Sequence, residues 1–271
     1  MRRNFVSRFF LYAILIIVSI ISIFPFYWMI VGMTNPAVDV IRGKMTFGSE
    51  FFNNMSSLFS QYNLTQILTN SITITGLTVA GTLIVCSMAA YGFEMFSSPA
   101  RERVYSVILL SMMVPFAALM IPLFKLISKM GLLNSLTGVI LASIGSVFIL
   151  FFFRQSFKSF PYEIIQAGRV DGAGEMTIFF KLFLPSMKST YAAAAIYSFT
   201  TSWNSYLWPL LILQTDDKKT ITLTISSMSS AYVPQYGVIL ATIVIATLPS
   251  ILVFFGLQKH FVQGMLGSVK Q

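Results

Sequence analysis

Pro161–Pro185, PYEIIQAGRVDGAGEMTIFFKLFLP, is a polar, charge-bearing island between long apolar runs. Placed so, it reads as a segment that stands in water beside a membrane. Pro161 suits the first turn of a helix, where its missing N–H is not needed. A short helix then runs to about Val170, and Asp171-Gly172 is a turn signal that breaks it. Met176, Phe179, Phe180 and Phe183 fall at i, i+3, i+4 and i+7, which predicts one apolar face of a second helix. Pro185 imposes a kink or a new start. The expected unit is a compact helix–turn–helix with an exposed surface, tied to spans on both sides.

Composition sets the surroundings. Of 271 residues, 56% are hydrophobic and only 10% charged, and the mean hydropathy is +0.78; these values exclude a soluble globular domain. A formal charge of +9 would point to nucleic acid in a soluble protein. Here basic loops flanking apolar spans orient the chain in a bilayer, so lipid is the expected surrounding and no nucleic-acid partner is expected. The single cysteine, Cys86, rules out an internal disulfide and lies in an apolar run, where it reads as packing.

The apolar runs predict an all-α integral membrane fold with six spans, at about 9–31, 70–93, 104–124, 134–153, 190–213 and 236–258. They make one transmembrane domain, 9–258, between a basic head at 1–8 and a tail at 259–271, with the loop 154–189 joining spans four and five. A cleaved signal peptide competes for the first run. Its end in Phe24-Pro25-Phe26-Tyr27-Trp28, an interfacial aromatic cluster, favours an uncleaved span. The connection 32–69 carries Phe51, Phe52, Met55, Leu58, Phe59 and Leu64, which predict a short amphipathic segment on the outer surface. With the N-terminus inside, twelve Lys and Arg fall on the inner side and six on the outer, together the 18 present. That bias puts both termini and the Pro161–Pro185 loop in the cytoplasm, and leaves Asp216–Lys219 as a solvated outer turn.

No Asp, Glu, Lys, Arg or His lies inside any of these spans. Ion-coupled carriers usually need such groups, although sodium sites built from carbonyls keep a secondary carrier open as a rival. An intramembrane hydrolase is disfavoured, since His260 follows the last span and Cys86 has no base. Nothing matches a phosphate-cradling G-x-x-x-x-G-K-[ST] pattern. The chain is therefore expected to be non-catalytic, with no cofactor and no metal, and any ATP must be hydrolysed by a separate subunit. Pro25, Pro115, Pro122, Pro209 and Pro249 lie in or at the ends of spans, as hinges or as packing. Gly138, Ala142 and Ser146 form a small-residue ridge that would let another helix approach. Span five is the most polar, and Thr201, Trp203, Asn204 and Tyr206 are its candidate substrate-path residues. Hydroxyls and amides beside aromatic faces suit an uncharged polyol, and equally a helix–helix polar seam.

The central stretch resembles the cytoplasmic EAA loop of ABC importer permeases. In that register Gln166, Ala167 and Gly168 stand at the E-A-A positions, followed by Gly172 and by Leu182, Leu184 and Pro185 at matching spacing. Gln166, Gly168 and Leu182 depart from the family's Glu, Ala and Ile. Arg169–Ala173 is similar to a run in the maltose-type second permease of the carbohydrate-uptake branch. Further stretches of that branch resemble Ala90–Phe93, Ile121–Phe124, Gly131–Asn134, Trp203–Leu210 and the tail Phe261–Gly264. The resemblance implies a type I importer permease that pairs with a homologous second permease, ABC ATPase subunits and an extracytoplasmic solute-binding protein. It implies an ATPase-coupling role for Glu163, Gln166, Ala167, Gly168, Arg169, Asp171, Gly172, Ala173 and Pro185. The solute would be a sugar or oligosaccharide, with a phosphorylated polyol as the alternative, in a multi-pass protein of the bacterial cell membrane.

Overall fold

The computed structural model describes residues 5–267, with side chains from Arg8 to Lys259. Arg2 and Arg3 of the basic head, and the side chains of His260 and of the tail stretch Phe261–Gly264, lie outside the described residues. The described chain is all helical. In order it forms α1 (Phe5–Gly32), α2 (Ala37–Ile41), α3 (Phe51–Gln61), α4 (Leu64–Met95), α5 (Pro99–Leu110), α6 (Phe116–Lys129), α7 (Leu136–Ser143) and α8 (Val147–Phe157). There follow α9 (Tyr162–Val170), α10 (Glu175–Thr177), a π-helical turn at Ile178–Phe183, α11 (Leu184–Ser186), α12 (Lys188–Trp203), α13 (Leu207–Ile212), α14 (Ile221–Ser229) and α15 (Tyr236–Gly267). Two compact units result, one of residues 1–64 with 224–248, the other of 65–223 with 249–271.

In the first unit, α1 is apolar all round, and its most hydrophobic stretch buries nothing against the rest of the chain, as suits a helix bathed in lipid. The connection after it is not slack. Asn35 is fully buried and its Nδ2 donates to the carbonyls of Val31 and Thr46, both at 2.9 Å. Asn54 Nδ2 donates to the carbonyls of Met33 at 2.9 Å and Asn35 at 3.1 Å. On α3, Leu58 is buried while Phe52 and Phe59 point outward, so the expected amphipathic helix is present. The first turns of α15 bury Val238, Ile239, Leu240 and Ala241. Gly237 lies against the Asn35 carbonyl and the Asn54 amide, where a side chain would collide.

The second unit departs from the expectation of straight spans. The third apolar run breaks at Pro115, and its two arms, 99–113 and 116–129, meet at 106°. Proline disfavours the helical conformation at its predecessor, and here Val114 is extended, with φ −82° and ψ 117°. The fourth run bends by 41° between α7 and α8. There Ser146 is the N-cap of α8, its hydroxyl accepting from Ile149 N–H at 3.4 Å. The small-residue ridge is therefore interrupted. Gly138 packs against Ile127 and Ile212, but Ser146 caps a new helix in place of extending the old one. The fifth run is divided as well, into α12 and α13. Among the described residues three helices, at 8–32, 64–95 and 236–259, are long and apolar enough to cross a membrane, and the two bent pairs raise the number to as many as five. The protein is an all-α, multi-pass membrane protein.

Candidate functional site: an anchored surface loop and an uncharged cavity

The helix–turn–helix expected at 161–185 is present. On α9 the buried side is made by Ile165 and Gly168. A Cβ at Gly168 would stand 3.0 Å from Leu182 Cδ1 and 3.2 Å from Ile178 Cγ1, so a glycine lets the two halves of the loop close. Glu163, Gln166 and Ala167 occupy the exposed side, and Asp171 and Pro185 are exposed too. α9 ends in a Schellman motif. Gly172 adopts φ +78°, its N–H bonds to the Arg169 carbonyl at 3.1 Å, and the Ala173 N–H bonds to the Gly168 carbonyl at 3.0 Å. Glycine enters this left-handed region without the Cβ penalty.

The second half differs from a plain amphipathic helix. Phe179 and Phe183 are buried with Ile178, whereas Met176 and Phe180 are largely exposed. The cause is the π-helical turn at 178–183, in which the inward-facing positions are five apart. This places Ile178 and Phe183 on one side and rotates Phe180 out. The Phe183 ring is fully buried and stands 4.5 Å from Phe157, 4.7 Å from Phe160 and 5.1 Å from Tyr91. The loop's wet face thus sits on an aromatic root that reaches α4 and α8.

One ion pair straps the loop. Arg169 Nε meets Glu175 Oε1 at 2.6 Å, and Arg169 Nη1 donates to the Tyr162 hydroxyl at 2.9 Å. The Tyr91 hydroxyl of α4 donates to Glu175 Oε2 at 3.0 Å. Hydrogen bonding from Arg169 holds the Glu175 carboxyl below its usual range, against the opposing effect of desolvation. Arg169 therefore joins α9 to α10 and, through Glu175, joins the loop to α4.

Sequence reasoning missed a second charged group. Arg154 is 5% exposed. It donates from Nε to Glu94 Oε2 at 3.1 Å, and from Nη2 and Nη1 to the two oxygens of Glu102 at 2.5 and 3.1 Å. Its guanidinium lies 4.1 Å from the centre of the Tyr105 ring. The signal was available, since Glu94 and Arg154 each stand one residue beyond the expected limits of spans two and four. In the sequence Arg154 counts only as one of the twelve inner-side basic residues.

Away from the loop, α4, α6, α7, α8, α12 and α13 border a half-open cavity of about 550 Å³. Thr201, Asn204 and Tyr206 line it, and among the described residues no charged side chain does. Trp203 stands outside the lining. It is buried, stacks on Phe199 at 5.5 Å, and its carbonyl accepts from the Thr222 hydroxyl at 2.8 Å. Of the four span-five candidates, the structure brings three to one space and puts the fourth in packing.

A polar loop rooted in aromatic side chains, carried by a bundle of broken apolar helices, defines a membrane permease subunit. The chain belongs to the family of binding-protein-dependent transport system inner membrane components, whose model matches residues 81–267. It is thus a non-catalytic permease subunit of an ABC-type importer, with ATP hydrolysis in a separate partner. It is 53% identical to a lactose transport system permease protein of Rhizobium radiobacter, covering 96% of this chain and 95% of that protein. It is 33% identical to an arabinooligosaccharides transport system permease protein of Bacillus subtilis, covering 93% and 92%. An sn-glycerol-3-phosphate transport system permease protein of Pectobacterium atrosepticum is 31% identical, with 95% of each covered. In fold the chain is similar to a bacterial ABC transporter involved in the import of the acidic polysaccharide alginate. The TM-score is 0.84 at 21% identity, covering 96% of this chain and 99% of that one.

Proposed function

We propose that this chain is one of two permeases of a saccharide importer, crossing the bacterial cell membrane six times with both termini in the cytoplasm. Its 161–185 loop is the contact for the ATPase subunit. Glu163, Gln166, Ala167 and Asp171 form the outer surface, Arg169 and Ala173 hold its shape, and Gly168, Gly172 and Pro185 permit its tight path. A homologous second permease and an extracytoplasmic solute-binding protein complete the assembly, in which this chain takes the place of the maltose-type second permease. Closure of the ATPase dimer moves the loop, and the two permeases alternate between outward and inward access. The observation that carries this reading is the loop itself: an exposed polar face fixed by Phe183 and its neighbouring rings to the helices that line the path.

A phosphorylated polyol is the second reading, favoured by the 31% relatives named for sn-glycerol 3-phosphate. The 53% relative named for lactose and the uncharged cavity support the saccharide. The test is ATP-driven uptake by the reconstituted complex, with labelled lactose, an arabinooligosaccharide and glycerol 3-phosphate compared. Saccharide uptake is expected; uptake of glycerol 3-phosphate alone would overturn the solute assignment.

A further inference from the structure

Arg154 closes a ring of contacts around the footing of the loop. On α4, Tyr91 and Glu94 are three residues apart and so share a face. Tyr91 donates to Glu175 of the loop at 3.0 Å, and Glu94 accepts from Arg154 Nε at 3.1 Å. On α8, Arg154 and Phe157 have the same spacing, and the Phe157 ring stands 4.5 Å from Phe183 of the loop. The path from the loop to α4, across to α8 and back to the loop is therefore closed. A closed set of links resists the shear that any single link would permit.

Arg154 also reaches outside that ring. Its Nη1 and Nη2 donate to the two oxygens of Glu102, in the first turn of α5, and such fork-to-fork pairing fixes orientation as well as distance. The Tyr105 ring of α5, 4.1 Å from the guanidinium, stands 5.4 Å from Phe93 of α4 and packs the same corner. The turn that leads into α5 meets the loop a second time. The guanidiniums of Arg101 and of the loop's Arg169 both stand over the Phe96 ring, at 5.7 and 5.4 Å. At its other end α5 does not continue into α6, because the run breaks by 106° at Pro115. Buried ion pairs add little stability over apolar packing, and their best-attested use is to hold one element in register with another.

We infer that Arg154 is a positioning residue for coupling. It clamps the start of α5 to the footing of the loop, so that α5 travels with the loop and the break at Pro115 takes up the motion. The inference rests on the loop being the ATPase contact, and adds the element that receives the loop's movement and the residue that delivers it.

The test uses the complete complex in nanodiscs, with the partner subunits cleared of cysteine and with buried Cys86 left in place. Spin labels are carried on Met176→Cys with Val107→Cys, and on Met176→Cys with Lys129→Cys. All three positions are exposed, on α10, α5 and, beyond the break, α6. The first pair should give one narrow distance, unchanged between the nucleotide-free and the ATP–vanadate-trapped complex, while the second pair shifts. In Glu102→Gln, which keeps the size of the side chain and removes its charge, the first distance should broaden and move with nucleotide. ATP hydrolysis should persist in that variant, and lactose imported per ATP should fall when the complex is placed in liposomes. Arg154→Lys, which keeps the charge and loses the fork, should broaden the first distance as well. A role confined to stability would lower the melting temperature of both variants and leave their distances as narrow and constant as in the wild type; that result would overturn the clamp. A wild-type first pair that shifts as far as the second would overturn it too, and either outcome leaves the loop reading intact. A loop that moves against neither label would remove the loop reading and the clamp together.

Discussion

Gly172→Val isolates one physical effect. The backbone there has φ +78°, a region that costs an L-residue about 1–2 kcal/mol. An added Cβ meets nothing within 4 Å, so the Cβ adds no clash within the chain to the conformational cost. The penalty falls on the Schellman turn, and weakening it by that amount changes its population about 5- to 30-fold. The direct readout is hydrogen exchange at the Ala173 amide, which the turn holds on the Gly168 carbonyl at 3.0 Å. Its exchange should accelerate by that factor, and ATP hydrolysis coupled to uptake should fall, with membrane insertion unchanged. Gly172→Asn is the control, since asparagine tolerates the left-handed region, and it should exchange and couple nearly as the wild type does. Gly168→Ala should also harm the loop, but by crowding Leu182 and Ile178. Wild-type exchange and coupling in Gly172→Val would refute the backbone argument. Equal loss in the Val and Asn variants would show that the position must be bare for a reason other than its φ.

Gln166 is exposed; Gln166→Ala should weaken retention of the ATPase on the purified permease pair, while Gln166→Glu should preserve it and make it more salt-sensitive, because a charge-assisted bond is screened. Normal retention in the Ala variant with loss in the Glu variant would reverse that assignment. In the Arg154 cluster, the double variant Glu94→Gln, Glu102→Gln should lower thermal stability more than Arg154→Met does. The first strands a buried guanidinium, whereas the second frees carboxylates that already reach water; the opposite order of melting temperatures counts against it. The Arg169–Glu175 strap should be pH-dependent. A carboxyl held below its ordinary value contributes fully above pH 4.5 and loses its contribution as the pH falls through the lowered folded-state value. Relative to the intrinsic rate at each pH, exchange at loop amides in Glu175→Gln should be flat across that acidic window while that of the wild type rises as the pH falls. Cysteines placed at the exposed Ser159 and Ser229 should label from opposite faces of sealed vesicles, with buried Cys86 silent; labelling from one face would sink the six-span topology.

The helix ends of the loop were legible because their causes are local. Asp171-Gly172 forces a turn in any context, and α9 stops at Val170. The face at 176–183 was misjudged because periodicity assumes an α-helical repeat, and a π turn is set by how Phe183 fits among rings from α4 and α8. The break at Pro115 was readable as a proline, but its 106° depends on what the two arms pack against. At the cavity, the hydroxyl-rich character of span five was visible in the sequence. The partition of Trp203 from Tyr206 was not, since Asn204 ends α12 and the chain changes direction between them. Thr78 could not be associated with Ser198 at all. They are remote in sequence and border one cavity only through tertiary packing.

The short helix α8 has a mechanical consequence. Its first residues border the cavity through Ser146 and Ile149. Its last turns hold Arg154 and the Phe157 ring against which Phe183 of the loop is seated. At about 1.5 Å per residue the rod is roughly 16 Å long, bent away from α7 at one end and welded to the loop at the other. As a rigid rod it has the geometry of a rocker arm. Tilting it by about 10° around its middle carries each tip about 1.4 Å in opposite directions. That stroke exceeds the spread of distances, about 2.7–3.2 Å, over which a hydrogen bond survives, so a tilt of this size at the loop end is enough to make or break a hydrogen bond at the far tip.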